Sequence, residues 1–191
     1  MTARAASKRA LDIVLAGPGS LLSAPLIALV ALAIRIESPG GPIYRQTRVG
    51  KDGATFQIYK LRTMMHGAEF IGAGLAIQRG DARITRVGQV LRRFSLDELP
   101  NLWNVLRGEM SIVGPRPPLP GEVEDYDAFS MRRLSVKPGI TCLWQISGRS
   151  NVSFEEWMRL DNAYIDTWSP LSDLAIVAKT IPAVISGEGA H

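Results

Sequence analysis

An apolar run over residues 13–34 restricts what this chain can fold into more than any other feature. Lys8 and Arg9 precede it, and Arg35, Arg45 and Arg48 follow it. As a helix it just reaches the roughly 20 residues needed to cross the hydrocarbon of a bilayer. Three structures compete for it. A signal peptide suits the basic start and Ala31-Leu32-Ala33, but Pro25 inside the apolar stretch and the basic segment beyond it argue against one. A single transmembrane helix is the simplest reading. A re-entrant helical hairpin, which enters and leaves by the same leaflet, is the third. Gly17-Pro18-Gly19 and Pro25 break helical hydrogen bonding, and Ser20 and Ser23 are close enough to satisfy freed backbone groups. Basic residues on both flanks put both ends on the cytoplasmic side, which one span cannot do. The residues alone narrowly favour the hairpin.

Composition agrees with membrane association. Of 191 residues, 46% are hydrophobic, and the mean hydropathy is slightly positive, high for a purely soluble chain of this length. The length suits one domain with its own core. The net charge of +4 is concentrated at the front: residues 1–62 hold nine Lys and Arg against three acids, Asp12, Glu37 and Asp52. That front half suits an anionic membrane surface or a phosphorylated ligand. No nucleic-acid recognition motif accompanies it. Cys142 is the only cysteine, which excludes an internal disulfide or a cysteine zinc site and agrees with a reducing, cytoplasmic setting.

Beyond a turn-rich stretch at 37–42, residues 43–46 read as a short strand and 47–55 as a hairpin turn. Residues 56–62 alternate apolar and polar, the period of a half-buried strand, so Lys60 and Arg62 share a face. A solvated basic face explains that pair as well as a ligand contact does. Residues 66–81 are Gly-rich and weakly patterned; a helix is expected over 89–93, and an amphipathic helix over 122–131. Residues 137–141 read as a turn. Ser153 with Glu156 forms a capping box that opens a helix through Trp157, Leu160 and Tyr164. Residues 171–185 are apolar but interrupted by Asp173, Lys179 and Pro182, too polar to span comfortably. They read as an interfacial helix with Trp168 near the headgroups, or as a soluble core helix.

Chemistry concentrates in residues 92–116, where two adjacent carboxylates, Asp97 and Glu98, lie between arginines. Ser95 with Glu98 fits a capping box, so a helix begins there; alternatively it begins at Pro100, with the acids in the turn before it. Leu99, Leu102, Trp103 and Leu106 form an apolar stripe, and Arg107-Gly108 is a helix stop. First-turn acids that complement a helix dipole are the plain explanation of Asp97 and Glu98. A carboxylate that stays ionised among arginines can also attack phosphorus or hold a divalent metal. In Gly114-Pro115-Arg116-Pro117-Pro118, prolines fix the backbone on both sides of Arg116, and a guanidinium suits a phosphate. No serine-histidine triad or P-loop is present, which leaves hydrolase and ATPase readings without support.

Ser-Leu-Asp-Glu-Leu-Pro at 95–100, Trp-Asn-Val-Leu-Arg-Gly-Glu-Met-Ser at 103–111 and Val-Gly-Pro-Arg-Pro at 113–117 resemble the bacterial sugar transferases, the monotopic polyprenyl-phosphate phosphoglycosyl transferases. The resemblance extends over nearly the whole chain. It implies a helix-rich α/β (α+β) domain with a small sheet. Residues 1–36 would be a membrane-inserted re-entrant hairpin kinked at Ser23 and Pro25, and 37–191 a catalytic domain on the cytoplasmic face of the inner membrane. Members often carry Ser directly before the kinking proline; here Ala24 intervenes. The resemblance further implies Asp97 and Glu98 as catalytic residues and Mg²⁺ ligands. By match to family motifs, Lys60, Arg62, Arg92, Arg116, Arg149 and Gln145 would bind phosphate or nucleotide. Cys142 stands where a glycine is usual. The implied reaction takes sugar-1-phosphate from a UDP-sugar to polyprenyl (undecaprenyl) phosphate through a covalent phosphosugar-aspartate, releasing UMP. A noncatalytic adaptor on membrane lipids and a metal-dependent lipid phosphatase are the competing functions.

Overall fold

A computed structural model describes residues 3–68, 71, 80–148 and 152–186. The apolar run forms one helix, α1 (Ala3–Glu37), which continues through Pro18 and Pro25. No gap in the helix divides it into two separate arms. Each proline removes one hydrogen bond, but a long helix keeps its neighbouring turns. Close to Pro25, the Ser23 hydroxyl donates to the Ser20 carbonyl at 3.3 Å.

Both ends of α1 are fastened to the same body. Near its start, Lys8 donates to the Val113 carbonyl at 3.0 Å and pairs with Asp173 at 2.7 Å. Buried Asp12 accepts from the Ser111 hydroxyl at 2.7 Å and the Ile112 amide at 2.9 Å. At the far end, Glu37 accepts from the amides of Arg86 at 2.7 Å and Val87 at 3.1 Å. Those are orphan donors at the start of the next helix. In between, Ala16 packs with Ile58, Val105 and Met110, while Ile27 and Ile34 pack with Leu61 and Leu91. The opposite side is apolar and uncovered: Leu21, Leu22, Leu29 and Ile36 are each at least 67% exposed.

Strands β1 (Ile43–Val49) and β2 (Thr55–Leu61) form the expected hairpin, antiparallel, with Tyr44 opposite Lys60 and Arg48 opposite Phe56. Helices α2 (Arg86–Arg93) and α3 (Asn101–Arg107) follow. A second, parallel pair joins β3 (Ser111–Val113) to β4 (Gly139–Thr141), so the turn expected at 137–141 is partly a strand. The glycines that signalled a turn serve close packing instead: a Cβ on Gly139 would run into the backbone of Gly114. The acidic stretch 122–131, expected as one helix, is split between α4 (Pro120–Glu124) and α5 (Ala128–Met131). Asp127 restarts the helix by accepting from the Ser130 amide. After α6 (Leu143–Ile146), helix α7 (Phe154–Thr167) starts at Ser153, which accepts from the Glu156 amide as expected.

The last helix, α8 (Pro170–Ser186), buries Ile176 against Val113 and Tyr164 and leaves Leu171, Ile181 and Ile185 exposed. Asp173, which reads as a polar interruption, is its docking point. The helix-rich α+β class expected from sequence is the one observed.

Candidate active site

Strand β2 delivers Lys60 just before its end, with its ammonium 2.6 Å from Glu98 and 3.8 Å from Asp97. The next residues bring in α2. Gly88 lies so near Thr63 that a Cβ there would strike the Thr63 carbonyl. This approach lets Arg92 donate through Nε to the Thr63 hydroxyl at 2.9 Å. After α2 the chain reverses at Ser95, which has a left-handed backbone with φ 51°. A single 3₁₀ turn, Leu96–Glu98, then carries the acids, and α3 begins after Pro100. Ser95 makes no side-chain cap, so the capping box is absent and the alternative start at Pro100 is the one adopted. Leu96 and Leu99 pack into the cluster of Ile34 and Leu91, turning Asp97 and Glu98 outward. Gly108 closes α3 at φ 84°, where glycine avoids the strain of a Cβ. Asn104 locks α3 onto β2 by donating to the Gln57 carbonyl at 2.7 Å.

Arg116 completes the group, 3.6 Å from Glu98. The two acid side chains keep only 13% and 14% of their surface. Burial pushes Asp97 above the ordinary carboxylate value, against the pull of Lys60 and with Glu98 adding to the rise. Burial works the same way on Glu98, yet Lys60, Arg116 and Arg48 outweigh it and hold the group down at about 2. Adjacent carboxylates therefore diverge: one is permanently ionised and neutralised, the other is more basic. Such divergence separates chemical roles within a pair. A cleft beside them is lined by Arg48, Lys60, Glu98, Asn101 and Arg116.

The structure thus brings Lys60, Asp97, Glu98 and Arg116 together, with Arg92 near enough for its charge to act on Asp97. Arg62 goes elsewhere. Its guanidinium donates to the carbonyls of Pro39 at 2.5 Å and Ser38 at 2.9 Å. β2 ends at Leu61, so the alternation that put Arg62 beside Lys60 stops one residue too early. Gln145 is on α6, where its side-chain oxygen lies 3.9 Å from the Cys142 thiol. Its neighbour Trp144 meets the Arg116 guanidinium 5.8 Å from its ring centre. Cys142 has an extended backbone, φ −153°, so no positive φ is needed where the usual glycine is replaced. Arg149 lies outside the described residues.

A family model described as bacterial sugar transferase matches residues 3–187, and so takes in α1, the acid pair and α8 together. The chain belongs to the bacterial sugar transferase family. It is 47% identical to a UDP-glucose:undecaprenyl-phosphate glucose-1-phosphate transferase of Caulobacter vibrioides, over 96% of this chain and 72% of that one. It is 41% identical to the exopolysaccharide production protein ExoY of Rhizobium meliloti, over 97% and 88%. Identity to the galactosyl transferase CpsE of Streptococcus agalactiae is 44%, over 96% of this chain but only 43% of that longer relative.

Two arginines at this candidate site carry no motif of their own. Arg48 had a readable signal: in the β1–β2 register it shares a face with Tyr44, and Tyr44 is opposite Lys60. Arg133, 1% exposed, had none, since its burial depends on a pairing with Asp161, 28 positions further along the chain. Asp97 and Glu98 have the chemistry to hold Mg²⁺, which is commonly bound by one or two carboxylates plus substrate phosphates. Lys60 already occupies one Glu98 oxygen, leaving Asp97 the freer ligand.

Proposed function

We propose that this bacterial sugar transferase moves sugar-1-phosphate from a UDP-sugar to polyprenyl phosphate and releases UMP. The named activity of the Caulobacter relative supports the donor and acceptor classes. The observation that carries the chemistry is the asymmetry of the acid pair: Glu98 is saturated by Lys60 and Arg116, while the more basic Asp97 accepts no side-chain hydrogen bond from a described residue. An Asp97 oxygen attacks the sugar-bearing phosphorus, the bond to UMP breaks, and UMP leaves with the electron pair. An oxygen of polyprenyl phosphate then attacks the same phosphorus, and the acyl-phosphate bond breaks to return the Asp97 carboxylate. Lys60, Arg92 and Arg116 offset the repulsion between anionic nucleophile and anionic phosphate. Bound Mg²⁺, held by Asp97 and Glu98 with the donor's diphosphate, would neutralise further charge.

Membrane placement follows from α1. The helix lies against the domain at Asp12, Ala16, Ile27, Ile34 and Glu37, so a body of the same chain flanks it along its length. That arrangement supports a helix lying in one leaflet with the domain on the cytoplasmic face of the inner membrane, its exposed leucines in lipid. Purified protein given radiolabelled UDP-sugars and Mg²⁺, without lipid, should accumulate phosphosugar on Asp97, and Asp97→Asn should accumulate none. Full turnover by that variant, or label on another residue, overturns the reading. Hydrolysis of the lipid phosphate in place of transfer would favour a phosphatase.

A further inference from the structure

The segment that carries Arg116 is stiff but has almost no backbone donors with which to anchor itself to the fold. Three of the four residues 115–118 are prolines, leaving Arg116 the single backbone N–H. Order has to come from outside, through the carbonyls. Four successive carbonyls each accept one hydrogen bond. Pro115 takes the Gly139 amide at 2.9 Å and Pro118 the Val49 amide at 3.0 Å. Between them, Arg116 takes the Arg133 guanidinium at 2.9 Å and Pro117 takes that of Arg48, also at 2.9 Å.

Each of these guanidiniums is itself fixed. Arg48 donates through NH2 to the Gln46 side chain at 2.6 Å. Arg133 is fully buried, paired with Asp161 at 2.8 Å, bonded to the Tyr126 hydroxyl at 2.6 Å, and laid over the Trp157 ring at 4.7 Å. The two come from different parts of the fold, Arg48 from β1 and Arg133 from the turn after α5. They meet on adjacent carbonyls, one of which belongs to Arg116 itself.

We propose that Arg48 and Arg133 are positioning residues that clamp this proline segment and so aim the Arg116 guanidinium at Glu98 and at the phosphate bound there. Which phosphate arrives rests on the function proposed above; the clamp does not. Charged donors suit the task because they make stronger hydrogen bonds than neutral ones. Arg48 does so at a cost: burial, and then the neighbouring Arg116 charge, bring it down to about 10. A neutral donor would avoid that cost, so the charge has a second use. It adds to the field that draws an anion into the cleft it lines.

A double-mutant cycle on the full chain tests the clamp, with UMP release measured over a panel of UDP-sugars and undecaprenyl phosphate in nanodiscs. Arg48→Gln should lower kcat/KM ten- to a hundredfold in the wild-type background and by only a few-fold, the share its charge supplies, in an Arg116→Ala background. Arg48→Lys, which keeps the charge and a donor, should recover most of the loss. Arg133→Lys, which keeps the pairing with Asp161 but loses the fork, should behave like Arg48→Gln. Hydrogen exchange over residues 114–119 provides a readout independent of turnover. It should quicken in Arg48→Gln and Arg133→Lys while α3 stays protected. An equal loss of activity with and without Arg116, or unchanged exchange over 114–119, overturns the clamp. If the wild-type chain releases UMP from none of the donors while exchange still responds to Arg48→Gln, the proposed function fails and the clamp stands.

Discussion

Two lysines in this molecule each sit between two carboxylates, and the clusters do opposite things. Lys8 lies 3.4 Å from Asp12 and 2.7 Å from Asp173; Lys60 lies 3.8 Å from Asp97 and 2.6 Å from Glu98. The geometry is nearly the same. The difference lies in what else the acids receive. Asp12 also takes the Ser111 hydroxyl and the Ile112 amide, and Asp173 takes the Tyr164 hydroxyl at 2.9 Å and the Trp168 ring N–H at 3.1 Å. Both are essentially sealed, at 1% and 0% exposure. Asp97 accepts no side-chain hydrogen bond from a described residue, and its nearest cation, Lys60, is 3.8 Å away. A saturated cluster fastens α1 to the body, whereas an undersupplied one keeps lone pairs free for chemistry.

The sharpest break between the clusters comes from deleting an acid in each. Asp97→Asn should cut turnover by about a thousandfold or more, as loss of a nucleophile does, while the fold survives. Asp173→Ala should instead unfold the chain or destabilise it by about 3–5 kcal/mol, because Lys8, the Tyr164 hydroxyl and the Trp168 ring N–H all lose the acceptor they share. Denaturant titration and UMP release, read side by side, check the pair. Comparable stability losses from the two substitutions would erase the contrast.

pH sharpens it further, measured without divalent metal. Glu98 is depressed in the folded chain, so it stabilises the fold above the ordinary carboxylate value. That contribution is lost as pH falls from there through about 2. Asp97 is raised, so its ionised form costs stability at neutral pH, and the cost disappears as pH falls through its folded value. Glu98→Gln should therefore lower Tm at pH 7 by a few degrees and Asp97→Asn should raise it. The gap between the two variants should narrow in acid. An acid limb in activity should follow protonation of Asp97.

Smaller effects come next. Tyr164→Phe removes the one hydroxyl proton that Asp173 and the Val113 carbonyl share, and should cost about 1–3 kcal/mol without altering KM. Ser95→Gly relieves a left-handed backbone next to the acids and should stabilise the chain by up to about 1 kcal/mol, visible in Tm.

Much of this was legible from the chain. The β1–β2 hairpin follows from alternation, α7 from the Ser153 cap, and the acid pair from its place just before α3, whereas Lys60 came to the site through the family resemblance. The first three depend on neighbours in sequence. The failures depended on distant ones. Pro18 and Pro25 signal breaks, yet α1 runs through both and is fastened at its two ends by residues 50 to 165 positions away. Gly139 signals a turn until its partner Gly114 is known. Arg62 follows the strand period only as far as the strand lasts. The family resemblance supplied roles that geometry alone would not assign, but it named neither Arg48 nor Arg133.

Glu37 caps the very helix that carries Arg92. The greasy rod and the reaction centre are consequently geared together. Tilting the rod to suit a thicker or thinner lipid layer would drag α2, and with it the Arg92 charge that acts on Asp97. Under the proposed function, lipid thickness would thereby become a dial on the charge around Asp97, to be turned by changing acyl chain length in the nanodisc.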